Sequence, residues 1–138
     1  MAHIHLPDGA FQLQWVIFWF AIASSIIVLL VLKYRRNHYF DINKLSRAAI
    51  LATFTFAIFQ VEAPFFGGLH LSFTPLLGIT LGPILGCASI LVVNIFSAAL
   101  GHSGWSILGA NFLINSIEVT ISYALFLLFE KFTKSSFA

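Results

Sequence analysis

Charged side chains are scarce in this sequence. Only 9% of the 138 residues are Asp, Glu, Lys or Arg, whereas 59% are hydrophobic. A soluble globular domain carries about 25% charged residues, so the chain is predicted to be an integral membrane protein. The mean hydropathy of +0.96 agrees with that class. At this length we expect a single transmembrane domain over residues 1–138.

Cysteine is almost absent as well. Cys87 stands alone, which excludes an internal disulfide and any metal site built from several thiolates. We interpret it as a buried packing residue, because free cysteines commonly behave as small hydrophobes. The pattern G-x-x-x-x-G-K-[ST] is also missing from the sequence, so the chain is not expected to hydrolyse ATP itself.

Long apolar runs predict the membrane spans. The first two cover residues 11–32 and 45–63. The segment that joins them, residues 33–47, carries five Lys or Arg residues against one acid, Asp41, so it is expected to stay in the cytoplasm and the N-terminus outside the cell. The first run follows Asp8 rather than lysines and is too long for a signal peptide. Asp8 itself is expected to lie in a turn or to cap the first span.

The apolar stretch after residue 70 permits one long span or two shorter ones. Proline at position 83 disfavours a helical residue before it, which favours a break at Gly82. Two spans, over 70–82 and 84–100, and a last span over 107–129 place the C-terminal tail with its two lysines in the cytoplasm, as the positive-inside rule prefers. The helix over 70–82 is too short to cross a bilayer core of about 30 Å, so it must pack within protein. The predicted fold is an all-α bundle of about five transmembrane helices, one of them short or broken.

The opening segment, MAHIHLPDG, concentrates metal-binding groups. Imidazole is the commonest protein metal ligand, and His3 and His5 lie close to the terminal amine. If Met1 is retained, its amine, two backbone amides and the His3 imidazole supply four nitrogen donors. If Met1 is removed, the Ala2 amine with the His3 amide and imidazole supplies three, and His70 can supply the fourth. Planar nitrogen donors favour Ni²⁺ or Cu²⁺, although such a terminal histidine also arises by chance.

The segment HIHLPDG resembles the N-terminal signature of the cobalt/nickel substrate-specificity (S) components of energy-coupling-factor ABC transporters. Four later segments resemble the same family in the same order: FQVEAP, GGLHL, LGP and GHSGWSILGAN. Together they cover most of the chain from His3 to Asn111. The resemblance implies the substrate-binding membrane subunit of an uptake transporter, not an enzyme, with Ni²⁺ or Co²⁺ bound near the outer surface as cargo.

The resemblance also implies a ligand set. In the family the terminal amine, the amide and imidazole of the second residue, and a loop histidine bind the ion. These groups fall on Ala2, His3 and His70 if Met1 is removed, and His5 fits an alternative alignment of the signature. The chain departs from the family by having Ala2 before the histidine. It is also shorter than usual after the Leu-Gly-Ala-Asn segment. The shorter length argues against transport by this chain alone more than it argues against metal binding.

Other polar residues are predicted near these ligands. His102 is a candidate ligand or a residue of the access path, with an ordinary interfacial loop position as the alternative. Gln60, Glu62 and Asn111 are candidates for orienting a ligand imidazole, whereas a helix–helix contact or a membrane-interface position explains them as well. Glu118 falls in the middle of a span, where a carboxylate is costly and is therefore a candidate functional residue. We assign it no specific role.

The resemblance implies partners as well as a site. A transmembrane coupling (T) subunit and cytoplasmic ATPase subunits are expected, together with membrane lipid, and no nucleic acid is expected. The basic loop over residues 33–47 is a candidate docking surface for such partners or for anionic lipid. The expected location is the cell membrane, with several spans, an extracellular N-terminus and a cytoplasmic C-terminus.

Two other functions are each suggested by one feature of the sequence. The stretch GHSG at residues 101–104 matches the Gly-x-Ser-Gly pattern of rhomboid intramembrane proteases, with Ser103 as nucleophile and His70 as its base. In rhomboids, however, the catalytic histidine follows the serine, and six or more spans are present. A bis-histidine haem anchor needs histidines that face each other within spans, whereas the histidines here cluster at one predicted surface.

Overall fold

The computed structural model describes residue 6 and residues 8–36, 41–63, 69–70 and 72–136. Four α-helices, two strands of two residues each and a short 3-10 helix make up this part of the chain. In chain order these are α1 (Leu13–Arg36), α2 (Ile42–Phe59), β1 (Glu62–Ala63), β2 (Leu69–His70), α3 (Thr74–Ala99), the 3-10 helix (Trp105–Ile107) and α4 (Leu108–Ser136). The four α-helices are long and apolar enough to cross a membrane. The predicted all-α transmembrane class is confirmed.

Helix α3 is broken in its middle. Gly82 has φ 72° and ψ 176°, a conformation that glycine adopts without steric cost. A Cβ placed on Gly86 would lie 3.1 Å from the carbonyl oxygen of Leu77, whereas a continuous helix would separate these residues by about 14 Å. The two arms, residues 74–81 and 83–99, therefore fold back on each other at Gly82. With both arms counted the bundle has five helical segments, and the predicted broken helix is confirmed.

The short first arm of α3 packs against protein. Thr74 and Leu77 are fully buried, and a Cβ on Gly78 would clash with the backbone carbonyl of Val119 in α4. Pro75 occupies the first turn of this arm, where its missing N–H costs no helical hydrogen bond. An arm about 12 Å long can lie within a bilayer core about 30 Å thick because α4 covers it.

The second arm of α3 and the first half of α4 form an antiparallel pair. Asn115 Nδ2 donates to Asn94 Oδ1 at 3.0 Å, and farther from the connecting loop the Val119 side chain packs on Gly86. The buried core is centred on this pair and includes Ile90 and Phe112. Loop residues 100–107 therefore lie at one end of the bundle.

Helix α1 lies at the edge of this core and runs parallel to α4, because Leu6, ahead of α1, is hydrogen-bonded to Gly104, ahead of α4. Its one buried residue is Ala23. A Cβ on Gly109, near the start of α4, would lie 3.0 Å from the backbone nitrogen of Phe20. The last turn of α1 carries Lys33, Arg35 and Arg36, which complement the negative end of the helix dipole. These cations therefore lie at the opposite end of the bundle from residues 100–107.

Candidate functional site

Two hydrogen bonds fasten the segment that follows the N-terminal histidines to the loop between α3 and α4. The Gly104 N–H donates to the Leu6 carbonyl oxygen at 3.1 Å. The Ser106 N–H donates to Asp8 Oδ1 at 2.8 Å. A Cβ on Gly104 would lie 2.8 Å from Asp8 Oδ1 and 3.0 Å from the Leu6 carbonyl oxygen. Glycine at this position therefore permits the close approach. We call these two contacts, Leu6 to Gly104 and Asp8 to Ser106, the N-terminal anchor.

The Asp8 carboxylate has a partner far away in the sequence. Asp8 lies in a turn, as expected, but its carboxylate caps the short 3-10 helix that leads into α4 rather than the first span. The hydrogen bond from the Ser106 backbone lowers the pKa of the Asp8 carboxyl from its usual value. A carboxylate at a helical N-terminus is stabilised by the free N–H groups there. Of the two predicted alternatives the turn is confirmed, and the carboxylate bonds to a residue 98 positions away in the chain rather than capping α1.

A polar cavity of about 540 Å³ lies beside the N-terminal anchor. Leu6, Asp8 and His102 are among the residues that line it. His102 is partly buried, and the neighbouring Ser103 is buried. The predicted candidate His102 is therefore in the immediate surroundings of the anchored chain start. The predicted ligand positions Met1, Ala2, His3 and His5 lie outside the described residues.

The predicted residues Glu62 and His70 face each other in a small antiparallel ladder. Its register pairs Glu62 with His70 and Ala63 with Leu69. Just after this ladder, the Ser72 hydroxyl donates to Thr74 Oγ1 at 2.8 Å and lies 3.4 Å from Glu118 Oε2. The segment that carries His70 is thereby connected to α4. Glu118, which had no predicted role, gains a partner at the entrance of the short arm.

Two further predicted residues point toward the interior of the bundle. Gln60 ends α2, and its Nε2 atom is buried. Asn111 is fully buried in the first turn of α4. Within the part of the chain that the structure describes, no group of three or more His, Cys, Asp or Glu residues is close enough together to hold a metal ion.

Sequence reasoning missed three buried polar residues deeper in the bundle. Asn94 and Ser97 on α3 and Asn115 on α4 are each at most 1% exposed. A usable signal was present, because Asn115 follows Asn111 by four residues and so shares its helix face. Amides repeated on one face of an apolar span are expected to face protein rather than lipid.

The chain matches one protein family along nearly its whole length. The family is CbiM, described as the cobalt uptake substrate-specific transmembrane region, and the match covers residues 5–138. This is a transport family, and it gives no support to the protease alternative.

Individual relatives and a solved structure agree with the family match. A proposed cobalt transport protein of Methanosphaerula palustris, CbiM 1, is 29% identical over 111 residues, which is 78% of this chain and 48% of that protein. A proposed metal transport protein of Haloquadratum walsbyi is 31% identical over 140 residues, covering 98% of this chain and 63% of that protein. The crystal structure of a transition metal transporter has a TM-score of 0.80 and 27% identity, over 94% of this chain and 58% of that one. The chain thus spans about half to two thirds of the length of these proteins.

Proposed function

Because the chain belongs to the CbiM family of cobalt uptake substrate-specific transmembrane regions, we propose that it is the substrate-binding membrane subunit of a cobalt or nickel uptake transporter. It captures Ni²⁺ or Co²⁺ at the outer face of the cell membrane, and the ion is the cargo. The observation that supports this most directly is the N-terminal anchor, since it ties the histidine-bearing chain start to the polar cavity beside His102.

The proposed ligands are nitrogen atoms of the chain start and of one loop. With Met1 removed, the Ala2 amine, the His3 amide and the His3 imidazole form two adjoining chelate rings, and His70 completes a plane of four donors. Four nitrogen atoms in a plane suit Ni²⁺ and also accept Co²⁺. Chelation by a terminal amine needs a ligand next in sequence, which favours His3 over the alternative His5.

Covalent geometry supports a site close to the anchor. Each residue extends a chain by at most about 3.6 Å, so His3 is at most about 11 Å from Leu6. The Leu6 carbonyl is itself held by Gly104 at 3.1 Å. The cost of ordering the chain start is thus met in part by the protein before the metal binds, which increases affinity through preorganisation.

The surrounding polar residues take supporting roles in this proposal. Glu62, opposite His70 in the ladder, orients the ligand imidazole, and the partly buried Gln60 and the buried Asn111 complete the hydrogen bonds around the ligands. His102 lies on the access path rather than in the plane of donors. Outer partners of this kind set the tautomer and orientation of metal-binding histidines.

Charge placement supports the orientation and the partners. Five cations are exposed at the end of the bundle opposite the N-terminal anchor: Lys33, Arg35, Arg36, Lys44 and Arg47. The positive-inside rule puts that end in the cytoplasm and the anchor outside. There the basic surface docks a coupling (T) subunit with its cytoplasmic ATPase subunits, or anionic lipid. With four helical segments after α1, the C-terminus is also cytoplasmic.

Calorimetric titration of the purified protein with Ni²⁺ and Co²⁺ tests the proposal. One tight equivalent is expected, and His70→Ala should weaken it by at least about a hundredfold, because losing a residue that only orients a metal ligand already costs about 10- to 100-fold. His102→Ala should weaken it far less, and His38→Ala, in the basic loop, serves as the control. No binding by the unaltered protein, or a larger loss in His102→Ala than in His70→Ala, contradicts the assignment.

A further inference from the structure

A long groove of about 880 Å³ lies between α1 and α4. Helix α3 contributes Pro83 and Cys87 to its lining, and α4 forms the second wall. The first wall consists of five side chains of α1: Trp15, Trp19, Ile22, Ile26 and Leu30. We call this space the α1–α4 groove.

The lining of the α1–α4 groove is almost wholly apolar. Ser116 and Thr120 are the hydroxyl-bearing residues among the described ones that line it, and the Thr120 hydroxyl donates to the Ser116 carbonyl oxygen at 2.8 Å. An apolar space of this kind is a poor site for ordered water or for a hydrated ion. Ile117 and Ile121 on the α4 wall are 59% and 53% exposed, so the groove is open to the hydrocarbon around the bundle.

The dimensions of the groove fit hydrocarbon chains better than a further helix. Helix α1 rises about 22 Å from Trp15 to Leu30, so a volume of about 880 Å³ corresponds to a mean cross-section of about 40 Å². A helix with its side chains is about 10–12 Å across, which corresponds to about 80–110 Å². An extended hydrocarbon chain is about 4–5 Å wide at carbon–carbon contact distance, so the groove has room for one or two such chains.

The α1 wall of the groove leads to a cation. The five lining residues of α1 share one face of the helix at about 100° per residue, and Lys33 continues that face three residues after Leu30. Arg35, in the same last turn, points to the opposite side. Lys33 is exposed, and its aliphatic stem can follow the groove wall while its ammonium group stays at the membrane surface. None of the described residues that line the groove is acidic.

We propose that the α1–α4 groove binds one anionic phospholipid, with its acyl chains along the groove and its phosphate group at Lys33. Basic pockets between transmembrane helices on the cytoplasmic side are recurrent sites for anionic headgroups. The inference goes beyond the proposed metal capture and does not depend on it. It is also more specific than a general attraction of residues 33–47 to anionic lipid, since it assigns one cation and one groove. The bound chains complete the packing of α1, whose one buried residue is Ala23.

Competition between two lipids tests the headgroup contact. The purified and delipidated protein is mixed with equal amounts of phosphatidylglycerol and phosphatidylcholine that carry the same acyl chains, and native mass spectrometry counts the bound lipids. One phosphatidylglycerol should be retained, in at least about fivefold excess over phosphatidylcholine. Lys33→Gln should lower that ratio by about fivefold, as expected for one cation at a membrane surface. Arg35→Gln makes the same change on the opposite face of α1 and should leave the ratio within about twofold.

Filling the groove tests the acyl-chain contact. Ile117→Trp places an indole ring in the groove from an exposed position on α4. Retention of phosphatidylglycerol should fall by at least about tenfold, the effect of displacing about two buried methylene groups. Val28→Trp adds the same ring on the opposite face of α1, where Val28 is exposed, and should leave retention unchanged. If Ile117→Trp does not fold, Ile121→Trp is measured in the same way.

The outcomes separate a lipid site from other uses of the groove. Selective retention of phosphatidylglycerol that is lost in Lys33→Gln and Ile117→Trp, and kept in both control variants, supports the inference. Equal retention of the two lipids, equal effects of Lys33→Gln and Arg35→Gln, or unchanged retention in Ile117→Trp overturns it. A dimer that excludes lipid and that Ile117→Trp dissociates also overturns it, because a second copy of the chain then covers the groove. Nickel titration of the unaltered protein can fail while the lipid result stands, so the two proposals fail separately.

Discussion

Asp8 accepts a hydrogen bond from the Ser106 N–H at 2.8 Å across 98 residues of sequence. This contact joins the turn that precedes α1 to the short helix that precedes α4. Together with the Leu6 to Gly104 bond at 3.1 Å, it holds the end of the N-terminal segment beside the loop between α3 and α4. In the proposed function the N-terminal segment supplies metal ligands, so the N-terminal anchor is part of the metal-binding site.

Removing the Asp8 carboxylate should weaken metal capture without unfolding the bundle. Asp8→Ala leaves the Ser106 N–H without its partner and frees the chain start, so the affinity for Ni²⁺ should fall by about tenfold. Titration calorimetry measures the loss. Asp41→Ala, which removes the cap of α2 at the other end of the bundle, is the matched control. Equal losses in the two variants would mean that the anchor does not contribute.

Acid should release the anchor at a pH set by Asp8. The hydrogen bond from Ser106 lowers the pKa of Asp8, so the docked state is stabilised above the ordinary aspartate pKa of about 4. That stabilisation is lost as the pH falls through the lowered pKa.

Hydrogen exchange of the metal-free protein, corrected for intrinsic rates, measures this release of the N-terminal anchor. Protection of the Ser106 amide should stay constant from neutral pH down to about pH 4 and decline below it, and Asp8→Asn should remove that decline. Loss of protection centred near the ordinary histidine pKa of about 6.5, unchanged in Asp8→Asn, would assign the release to a histidine instead.

The short arm of α3 should depend on glycine at position 78. A methyl group there meets the Val119 carbonyl, which is backbone and cannot rotate away, so Gly78→Ala should separate the arm from α4. We expect the free energy of unfolding to fall by at least about 2 kcal/mol, which is typical of overpacking in a well-packed core. Ile79→Ala, at a position on the same arm that is 37% exposed, should cost much less. Equal melting temperatures for Gly78→Ala and the unaltered protein would rule out the close packing described for the arm.

Local sequence signals predicted the fold well. The break in α3 followed from Pro83, which constrains its own φ and the residue before it, together with the positive-inside rule applied to the C-terminal tail. The expectation that the short arm must be covered by protein followed from its length relative to a bilayer. The resemblance drawn from five short segments is confirmed at the level of the family.

The sequence does not predict contacts between residues that are far apart in the chain. Nothing near Asp8 indicates that its partner is Ser106, since a turn or the start of α1 offers it a local role. The pairing of Asn94 with Asn115 depends on how two apolar helices rotate against each other, and an all-round apolar pattern does not fix that rotation. Such long-range polar contacts account for most of what the structure adds to the candidate site.

The most direct test of the account is to block the terminal amine. Protein whose first residue is Ala2 should bind Ni²⁺ tightly, and the same protein with an uncleaved extension before Ala2 should lose at least about a hundredfold in affinity, because losing a residue that only orients a metal ligand already costs about 10- to 100-fold. Calorimetry on both forms, with mass spectrometry of the N-terminus, makes the comparison. Loss of binding in the extended form and its return after cleavage is the predicted result. Equal affinity in the two forms would contradict a site built from the start of the chain.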